Sequence, residues 1–282
     1  MGTTPGRGSE RDTFTIPHLM DSDPILTQFR DGVLTITLNR PQVLNSFNGE
    51  MAIALQDALR HAAGDAATRA VLLAASGRAF CAGQDLGAAL PDAGGKMPDL
   101  GNIVEQSYNP VIRAIRTMEK PVVCAVNGVA AGAGANLAFA CDLAYAAESA
   151  TFIQSFSKIG LIPDGGGTFI LPRIVGLQRA AALTMLGDKL TAARAKEWGL
   201  IVDVFADAEL IDKVTEIATR LAAMPTRGIG IAKRGLNASL GNTLDEQLAL
   251  EAQLQREAGT TTDYAEGVRA FLEKRKPTFE GR

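Results

Sequence analysis

The sequence predicts an α/β fold in which short buried strands alternate with helices and a helical region follows. Strand-like and helix-like segments alternate from residue 28 to residue 205. The apolar runs among them are short and separated by helix-length segments, which is typical of strands buried on both faces. From about Asp207 onward, apolar residues recur at the i, i+3, i+4 spacing of amphipathic helices. These observations predict a core at 24–205, built on a repeated ββα or βαβ plan, and a helical region at 206–282.

Composition and periodicity indicate where the elements lie. A turn at Arg30-Asp31-Gly32 separates the first two predicted strands, Ile25–Phe29 and Val33–Leu38. A helix is predicted from about Gly49 to Ala63, because Met51, Leu55, Leu59 and Ala62 share one face. The other predicted elements are the strands Ala70–Ala75, Val122–Val126 and Leu143–Ala146, a helix carrying Leu210 to Leu221, and the helices Gly228–Ser239, Leu244–Ala258 and Tyr264–Lys274.

Two segments are predicted to be flexible. Residues 1–23 are rich in glycine, threonine, serine, proline and charge, which is typical of a terminal tail. Ala88–Leu100 has a turn-forming composition that predicts a mobile loop beside the glycine-rich motifs described below.

Charge and composition narrow the functional classes. The net charge of −3 and the absence of a lysine or arginine block argue against nucleic acid or an anionic membrane as partner. Cys81, Cys124 and Cys141 have no CxxC spacing, which argues against a disulfide framework and a zinc site. The two histidines lie far apart, so no metal is predicted. The N-terminus lacks the plan of a signal peptide and no long apolar run exists, so we expect a cytoplasmic protein.

Two glycine-rich stretches follow strand-like runs. They are Ala79–Leu86 and Val126–Asn136. Small residues let the backbone approach a ligand, and free N–H groups at a turn or helix start favour negative charge, so two such turns could form an oxyanion hole. Tight packing between strand and helix explains the same residues equally well. Neither stretch is GxGxxG or a P-loop, which excludes the usual dinucleotide and nucleoside-triphosphate motifs.

A third stretch, Phe156–Thr168, contains Asp164 between Ile162-Pro163 and three glycines. Apolar neighbours would raise the pKa of this carboxyl group, and the glycines would expose it to a ligand, which suits general acid/base catalysis. Pro-Asp-Gly is also a common turn sequence. The residues alone favour this second interpretation.

Taken together and in this order, the motifs resemble the crotonase (enoyl-CoA hydratase/isomerase) superfamily. The resemblance covers nearly the whole chain after about residue 25. It implies a spiral of ββα repeats and a C-terminal helical region that builds homotrimers, often paired into hexamers. The segments that carry it are Leu38-Asn39-Arg40-Pro41 with Leu44-Asn45-Ser46, Phe80–Leu86, Lys120-Pro121 with Asn127-Gly128, Gly160–Thr168 and Phe271–Phe279.

The resemblance implies an acyl-CoA substrate, no cofactor beyond the CoA of that substrate, and an oxyanion hole. The hole falls on the backbone N–H groups of Ala82 and Ala133, which would hold the thioester oxygen as it becomes an enolate. Gly83 and Asp85, beside the first donor, are predicted to contact the substrate.

The resemblance also changes the interpretation of Asp164. The two glutamates that activate water in hydratases of the family fall here on Asn136 and Phe156, neither of which exchanges a proton at neutral pH. Asp164 stands where dienoyl-CoA isomerases of the family carry an aspartate, and one carboxylate can move a proton between two carbons. Asp164 thereby becomes the expected catalyst, and Asn136 a substrate contact.

Further segments resemble a branch of the family that isomerises aromatic acyl-CoA epoxides. They are Ser46-Phe47-Asn48, Pro98–Gly101, Tyr108-Asn109-Pro110 and Phe156–Asp164. Phe156 and Tyr108 would then be apolar walls for a cyclic substrate, although core packing explains both equally well. Arg40, Lys274 and Lys276 are predicted to meet the CoA phosphates, although surface charge is the commoner role of such residues.

Three hypotheses therefore remain. The leading one is an acyl-CoA isomerase with Asp164 as proton carrier. The second is a hydratase or hydrolase with an unusual water site. The third is a non-catalytic binding protein on the same fold. Cys81 is rejected as a nucleophile, because no histidine is near it in sequence.

Overall fold

The structure, a computed structural model, describes residues 23–85, 87 and 95–282. The predicted tail, apart from its last residue Asp23, lies outside this part of the chain. Residues 88–94 of the predicted loop Ala88–Leu100 also lie outside it.

The described residues form the following strands and helices. The strands are β1 (Ile25–Arg30), β2 (Val33–Leu38), β3 (Ala70–Ala75), β4 (Ala79–Cys81), β5 (Val122–Val126), β6 (Val129–Ala131), β7 (Leu143–Ala147), β8 (Thr151–Ile153), β9 (Lys189–Thr191) and β10 (Asp203–Phe205). The helices are α1 (Gly49–Gly64), α2 (Leu100–Ile103), α3 (Asn109–Thr117), α4 (Ala133–Ala140), α5 (Gly167–Val175), α6 (Leu177–Leu186), α7 (Ala192–Glu197), α8 (Leu210–Ala222), α9 (Thr226–Ser239), α10 (Leu244–Ala258) and α11 (Thr262–Leu272). Within the described chain, no helix has both the length and the apolar composition that a membrane span requires.

The strands form two sheets. The larger has the order β1-β2-β3-β5-β7-β10, with β1 antiparallel to β2 and the other neighbours parallel. The smaller has the order β4-β6-β8-β9, with only β8 and β9 antiparallel. Each of β3, β5 and β7 therefore runs into a short strand of the smaller sheet and then into helical structure. This arrangement confirms the predicted spiral of ββα repeats.

The central strands are apolar at successive positions because both faces of the larger sheet are covered. Every residue of β5 is buried, as expected for a parallel strand between two layers. The first helix after the strands, α8, packs on β3, β5 and β7. It does so through a buried stripe consisting of Leu210, Val214, Ala218 and Ala222.

The long elements match the sequence prediction closely, and the short ones were missed. The strands Val33–Leu38, Ala70–Ala75 and Val122–Val126 and the helix Leu244–Ala258 match residue for residue. The strands of the smaller sheet have three residues each, too few to produce a periodic pattern.

A buried lysine ties the C-terminal helices to this core. The Nζ of Lys233, in α9, donates to the Ile115 carbonyl oxygen at 2.6 Å and to Asp142 Oδ2 at 2.7 Å. Asp142 follows α4 by two residues and also accepts from the Val122 N–H at 2.8 Å. The position of α9 is therefore coupled to α4, whose first turn belongs to the candidate site.

Two glycines of α9 test how tightly this helix packs. A Cβ on Gly230 would lie 2.3 Å from the Glu119 carbonyl oxygen, whereas a Cβ on Gly228 would have no heavy atom nearer than 3.9 Å. We expect Gly230→Ala to lower the free energy of unfolding by about 1–3 kcal/mol, because the helix must move away from the loop before β5. Gly228→Ala, the matched control, should raise it by roughly 0.5–1 kcal/mol, since alanine is the better helix former. Urea unfolding followed by circular dichroism measures both, and equal effects would contradict the packing described.

Candidate active site

The two glycine-rich stretches meet at one point, the arrangement that an oxyanion hole would require. Gly83 has a φ of +94°, and a Cβ there would lie 2.9 Å from the Ala131 carbonyl oxygen and 3.6 Å from the Ala133 nitrogen. A Cβ on Gly134 would lie 2.3 Å from the Cys81 carbonyl oxygen. Only glycine at these two positions permits the contact between the loop after β4 and the first turn of α4.

Two candidate backbone donors at this contact differ in availability. Ala133 is the first residue of α4, so its N–H has no partner within the helix, and no described residue accepts from it. The N–H of Ala82 donates to the Leu44 carbonyl oxygen at 3.0 Å. The prediction that Ala82 supplies an oxyanion donor is therefore wrong, because this N–H is already used within the fold.

The available donor on the first segment belongs to Gln84. Phe47 pairs with this segment, donating its N–H to the Gly83 carbonyl and accepting from the Asp85 N–H. In an extended segment, successive residues direct their N–H groups to opposite sides. The Gln84 N–H therefore points away from Phe47, and no described residue accepts from it. Gln84 and Ala133 are therefore candidates, one on each segment, for residues whose N–H groups hold an oxyanion.

Asp85 and Arg40 form an ion pair that fixes this loop. The Arg40 Nη2 lies 2.9 Å from Asp85 Oδ2, and the two side chains are only 17% and 26% exposed. The other terminal nitrogen of Arg40 donates to the Ser46 carbonyl oxygen, and Asp85 Oδ1 accepts from the Gly87 N–H. In this structure Asp85 holds the loop and Arg40 holds Asp85. The substrate contact of Asp85 and the phosphate contact of Arg40 stay predictions.

Asp164 presents a half-buried carboxyl group to the site. Burial raises its pKa to about 6, opposed only by a hydrogen bond from its own backbone N–H. Its Oδ1 is buried and has no hydrogen-bond partner in the described part of the chain. The group therefore populates its acid and its base form near neutral pH and leaves one oxygen available.

A chain of buried amides supports the Asp164 loop. The Asn136 Nδ2 donates to the Asp164 carbonyl oxygen at 2.8 Å, and the Asn136 Oδ1 accepts from Gln154 Nε2 at 2.9 Å. A Cβ on Gly167 would lie 2.5 Å from that Nδ2, so the loop closes tightly on the amide. Asn136 is fully buried. The predicted substrate contact of Asn136 is therefore corrected to a support for Asp164.

The two predicted aromatic walls differ in character. Phe156 is buried, and a Cβ on Gly132 would lie 3.5 Å from its Cζ, so its ring lies against the start of α4. Tyr108 is also buried, with its ring centroid 5.1 Å from that of Phe47. Its hydroxyl donates to the side-chain oxygen of Gln84. Burial, and next the charge of Asp164, raise the pKa of Tyr108. Tyr108 is therefore a polar part of the site and not only an apolar wall.

Three further residues of interest lie at or beyond this site. Burial raises the pKa of the Cys81 thiol to about 12, so Cys81 is a poor nucleophile, in agreement with the sequence interpretation. Lys274 and Lys276 have exposed side chains in the segment after α11. Their contact with CoA phosphates stays a prediction.

Sequence reasoning missed Gln84 and Gln154. Gln84 stands inside a motif that was recognised, but a sequence does not show which N–H of a loop remains unused by the fold. Gln154 follows β8 directly, and a glutamine beside a three-residue strand gives no signal that it meets Asn136.

Comparisons with known proteins match nearly the whole chain. The chain matches the model of the enoyl-CoA hydratase/isomerase family over residues 28–282. It is 51% identical to 1,2-epoxyphenylacetyl-CoA isomerase of Escherichia coli (strain K12), over 92% of this chain and 98% of that protein. It is 36% identical to trans-2-decenoyl-[acyl-carrier-protein] isomerase of Streptococcus mutans, over 93% of this chain and all of that protein. The crystal structure of an enoyl-CoA hydratase from Bacillus anthracis is similar, with a TM-score of 0.87 and 33% identity, over 92% of this chain and 100% of that one.

Asp164→Asn is expected to stabilise the fold at neutral pH. The pKa of this carboxyl group rises from 3.8 to about 6 on folding, so its protonated form favours the folded state. That contribution is complete below about pH 4 and is lost as the pH rises through 6. Asparagine keeps the shape without the charge, so at pH 8 the variant should exceed the wild type by roughly 2–3 kcal/mol in free energy of unfolding.

The measurement is a series of urea titrations between pH 4 and pH 8. The difference between Asp164→Asn and wild type should shrink toward zero at the acid end. Asp188→Asn, which changes an exposed aspartate, serves as the control and should alter stability by less than about 0.5 kcal/mol. A difference that does not change with pH would contradict the raised pKa.

Proposed function

The chain belongs to the enoyl-CoA hydratase/isomerase family, and we propose that it is an isomerase of acyl-CoA thioesters with Asp164 as its proton carrier. One observation carries the proposal: the buried Oδ1 of Asp164 has no partner in the described chain. The loop that bears it is held by Asn136, which lies one turn along α4 from the free N–H of Ala133. A carboxyl group with a pKa of about 6 thus lies in the same site as the candidate oxyanion donors.

The proposed chemistry is a proton transfer within the substrate. Asp164 removes a proton from a carbon α or γ to the thioester, and the N–H groups of Gln84 and Ala133 hold the oxygen of the resulting enolate. One such donor contributes roughly 3–4 kcal/mol to stabilising the transition state. The partial positive charge at the N-terminal end of α4 also stabilises the negative charge on the enolate oxygen. Asp164 then returns the proton to another carbon. No atom of water enters the product.

The proposed substrate is an aromatic acyl-CoA epoxide. Its isomerisation to an oxepin breaks the C–C bond between the two epoxide carbons and keeps both C–O bonds, and Asp164 moves the proton. The double-bond shift of an unsaturated acyl-CoA needs the proton transfer alone. Support comes from the 51% identity with the E. coli 1,2-epoxyphenylacetyl-CoA isomerase along almost the whole chain. The aromatic rings of Phe156 and Tyr108 suit a flat cyclic acyl group.

Hydration has less support. A hydratase of this family would need glutamates at 136 and 156, but Asn136 is engaged with Asp164 and Gln154, and Phe156 has no exchangeable proton. A non-catalytic role is disfavoured as well, because a buried carboxyl group without a partner costs stability that a binding protein has no need to lose.

The predicted homotrimer or hexamer remains part of the proposal. Apolar side chains of α11 are largely exposed in the single chain, with Phe271 at 83% and Leu272 at 74%. Exposed apolar surface of this kind supports association with further copies.

The test of Asp164 is the rate of isomerisation of 1,2-epoxyphenylacetyl-CoA and of a 3-enoyl-CoA. We expect Asp164→Asn to lower kcat at least about 100-fold with both substrates, since asparagine accepts no proton. Folding is checked by thermal unfolding, which should show a Tm at or above that of the wild type. Turnover near the wild-type rate would exclude Asp164 as the proton carrier. Incorporation of ¹⁸O from labelled water into the wild-type product would favour hydration instead.

Gly83→Ala tests the contact between the two donor segments. The added Cβ, 2.9 Å from the Ala131 carbonyl oxygen, should separate Gln84 from Ala133 and lower kcat by about 100-fold, the effect of losing one oxyanion donor. Gly199→Ala is the matched control, because Gly199 also has a positive φ (+73°) but has open space around it. Equal effects of the two variants would mean that backbone strain, and not the position of the donors, controls the rate.

A further inference from the structure

The side chains of Gln84 and Tyr108 form a pair that the proposed proton transfer does not use. The Tyr108 hydroxyl donates to the Gln84 Oε1, and its ring is held against Phe47. Phe47 also pairs with the backbone on both sides of Gln84. The pair is therefore fixed from two directions, by the packing of a ring and by the backbone of the oxyanion loop.

The pair lies in the same site as the catalytic carboxyl group. A path of contacts joins Gln84 to Asp164. A Cβ on Gly83, the neighbour of Gln84, would lie 3.6 Å from the Ala133 nitrogen, and Asn136, one turn along α4 from Ala133, holds the Asp164 loop. The backbone N–H of Gln84 is one of the two candidate oxyanion donors. A ligand bound between Asp164 and this N–H would consequently pass the Gln84 side chain.

Gln84 offers an unused donor at this place. Its oxygen accepts from Tyr108, while its amide nitrogen has no acceptor in the described chain. Donation to the oxygen of an amide strengthens its N–H groups as donors. Asp164 is charged until it takes up the proton, so a neutral donor beside it suits an uncharged acceptor on the bound substrate better than an anionic one.

We propose that Gln84, held by Tyr108, binds an uncharged oxygen atom on the acyl group, so that the site prefers acyl groups bearing an epoxide or ether oxygen to hydrocarbon ones. The proposal rests on the proposed function, because it assumes that the acyl group lies beside Asp164. Gln84 would act on the substrate directly, and Tyr108 would be a positioning residue that fixes the amide and polarises it.

The test compares two substrates and two variants. Gln84→Met keeps the length of the side chain without its polar atoms, and Tyr108→Phe keeps the ring without the hydroxyl. We expect Gln84→Met to lower kcat/KM for 1,2-epoxyphenylacetyl-CoA by about 10-fold, the usual effect of one lost hydrogen bond, and Tyr108→Phe to lower it by a smaller factor. The loss of kcat/KM should be smaller for a 3-enoyl-CoA, whose acyl group has no oxygen for Gln84 to bind, so both variants should lower the ratio of kcat/KM between the two substrates.

Tyr145→Phe is the matched control, because Tyr145 is also a buried tyrosine whose ring stacks on a phenylalanine, Phe205, with centroids 5.7 Å apart. It should leave the ratio between the two substrates unchanged. Equal losses on both substrates in the Gln84 and Tyr108 variants would overturn the inference and indicate a purely structural role. If the wild type isomerises neither substrate, the proposed function fails and the inference fails with it.

A binding measurement separates this inference from catalysis. 2-Methoxyphenylacetyl-CoA and 2-ethylphenylacetyl-CoA have nearly the same shape and differ in one ether oxygen. Isothermal titration should show tighter binding of the methoxy compound by the wild type, and Gln84→Met should abolish the preference. Equal affinity of the wild type for the two would overturn the inference while leaving the isomerase proposal intact.

Discussion

The site depends on a backbone contact that leaves no room for a side chain. The Cys81 carbonyl oxygen would lie 2.3 Å from any Cβ at position 134, and this approach brings the loop after β4 against the first turn of α4. Because the contact is made by backbone, the donors of Gln84 and Ala133 are placed by the paired strands β4 and β6 that precede them, and not by side-chain rotamers. Lys233 extends the constraint, since it ties α9 to Asp142 at the far end of α4. The spiral of repeats thus fixes the geometry at which an oxyanion could be held.

The carboxyl group of Asp164, in contrast to the tightly packed donor segments, is left without a partner. Its carboxyl group is desolvated and its Oδ1 lacks a partner in the described chain, which costs stability at neutral pH. The neighbouring side chains stabilise the backbone of the Asp164 loop and not its carboxyl group. The amide of Asn136 donates to the Asp164 carbonyl oxygen, and Gln154 donates to Asn136. The carboxyl group therefore keeps a fixed position and a raised pKa together. An arginine beside this carboxyl group would have offset the cost of its desolvation, but it would also have lowered the pKa below the range useful for proton transfer.

The sequence predicted the long strands and helices well, because their residue patterns are long enough to recognise. It predicted the site less well, because the site depends on which individual N–H groups are left without an acceptor. Runs such as Val122–Val126 need burial on both faces, so their limits follow from composition. The contact between the glycine-rich stretches was predictable from their small residues. The use of each N–H was not: Ala82 and Gln84 stand in one motif, and only the pairing of the motif with Leu44 and Phe47 separates them. The ion pair between Arg40 and Asp85 was not predicted either, because its partners are 45 residues apart in the chain and only the fold brings them together.

The proposal of isomerisation and not hydration depends largely on one side-chain amide. The Asn136 Nδ2 can donate to the Asp164 carbonyl oxygen, whereas a glutamate carboxylate at this position has no hydrogen to donate and would face that oxygen with like charge. Asn136 accepts a hydrogen bond from Gln154 and donates one to the Asp164 carbonyl oxygen. A glutamate at 136 could still accept from Gln154, but it could not donate to the loop. The amide that supports the Asp164 loop and a water-activating glutamate therefore require the same position, residue 136. The support for the Asp164 loop therefore favours the proposed isomerisation, in which Asp164 moves a proton that the substrate already carries, over a hydratase arrangement.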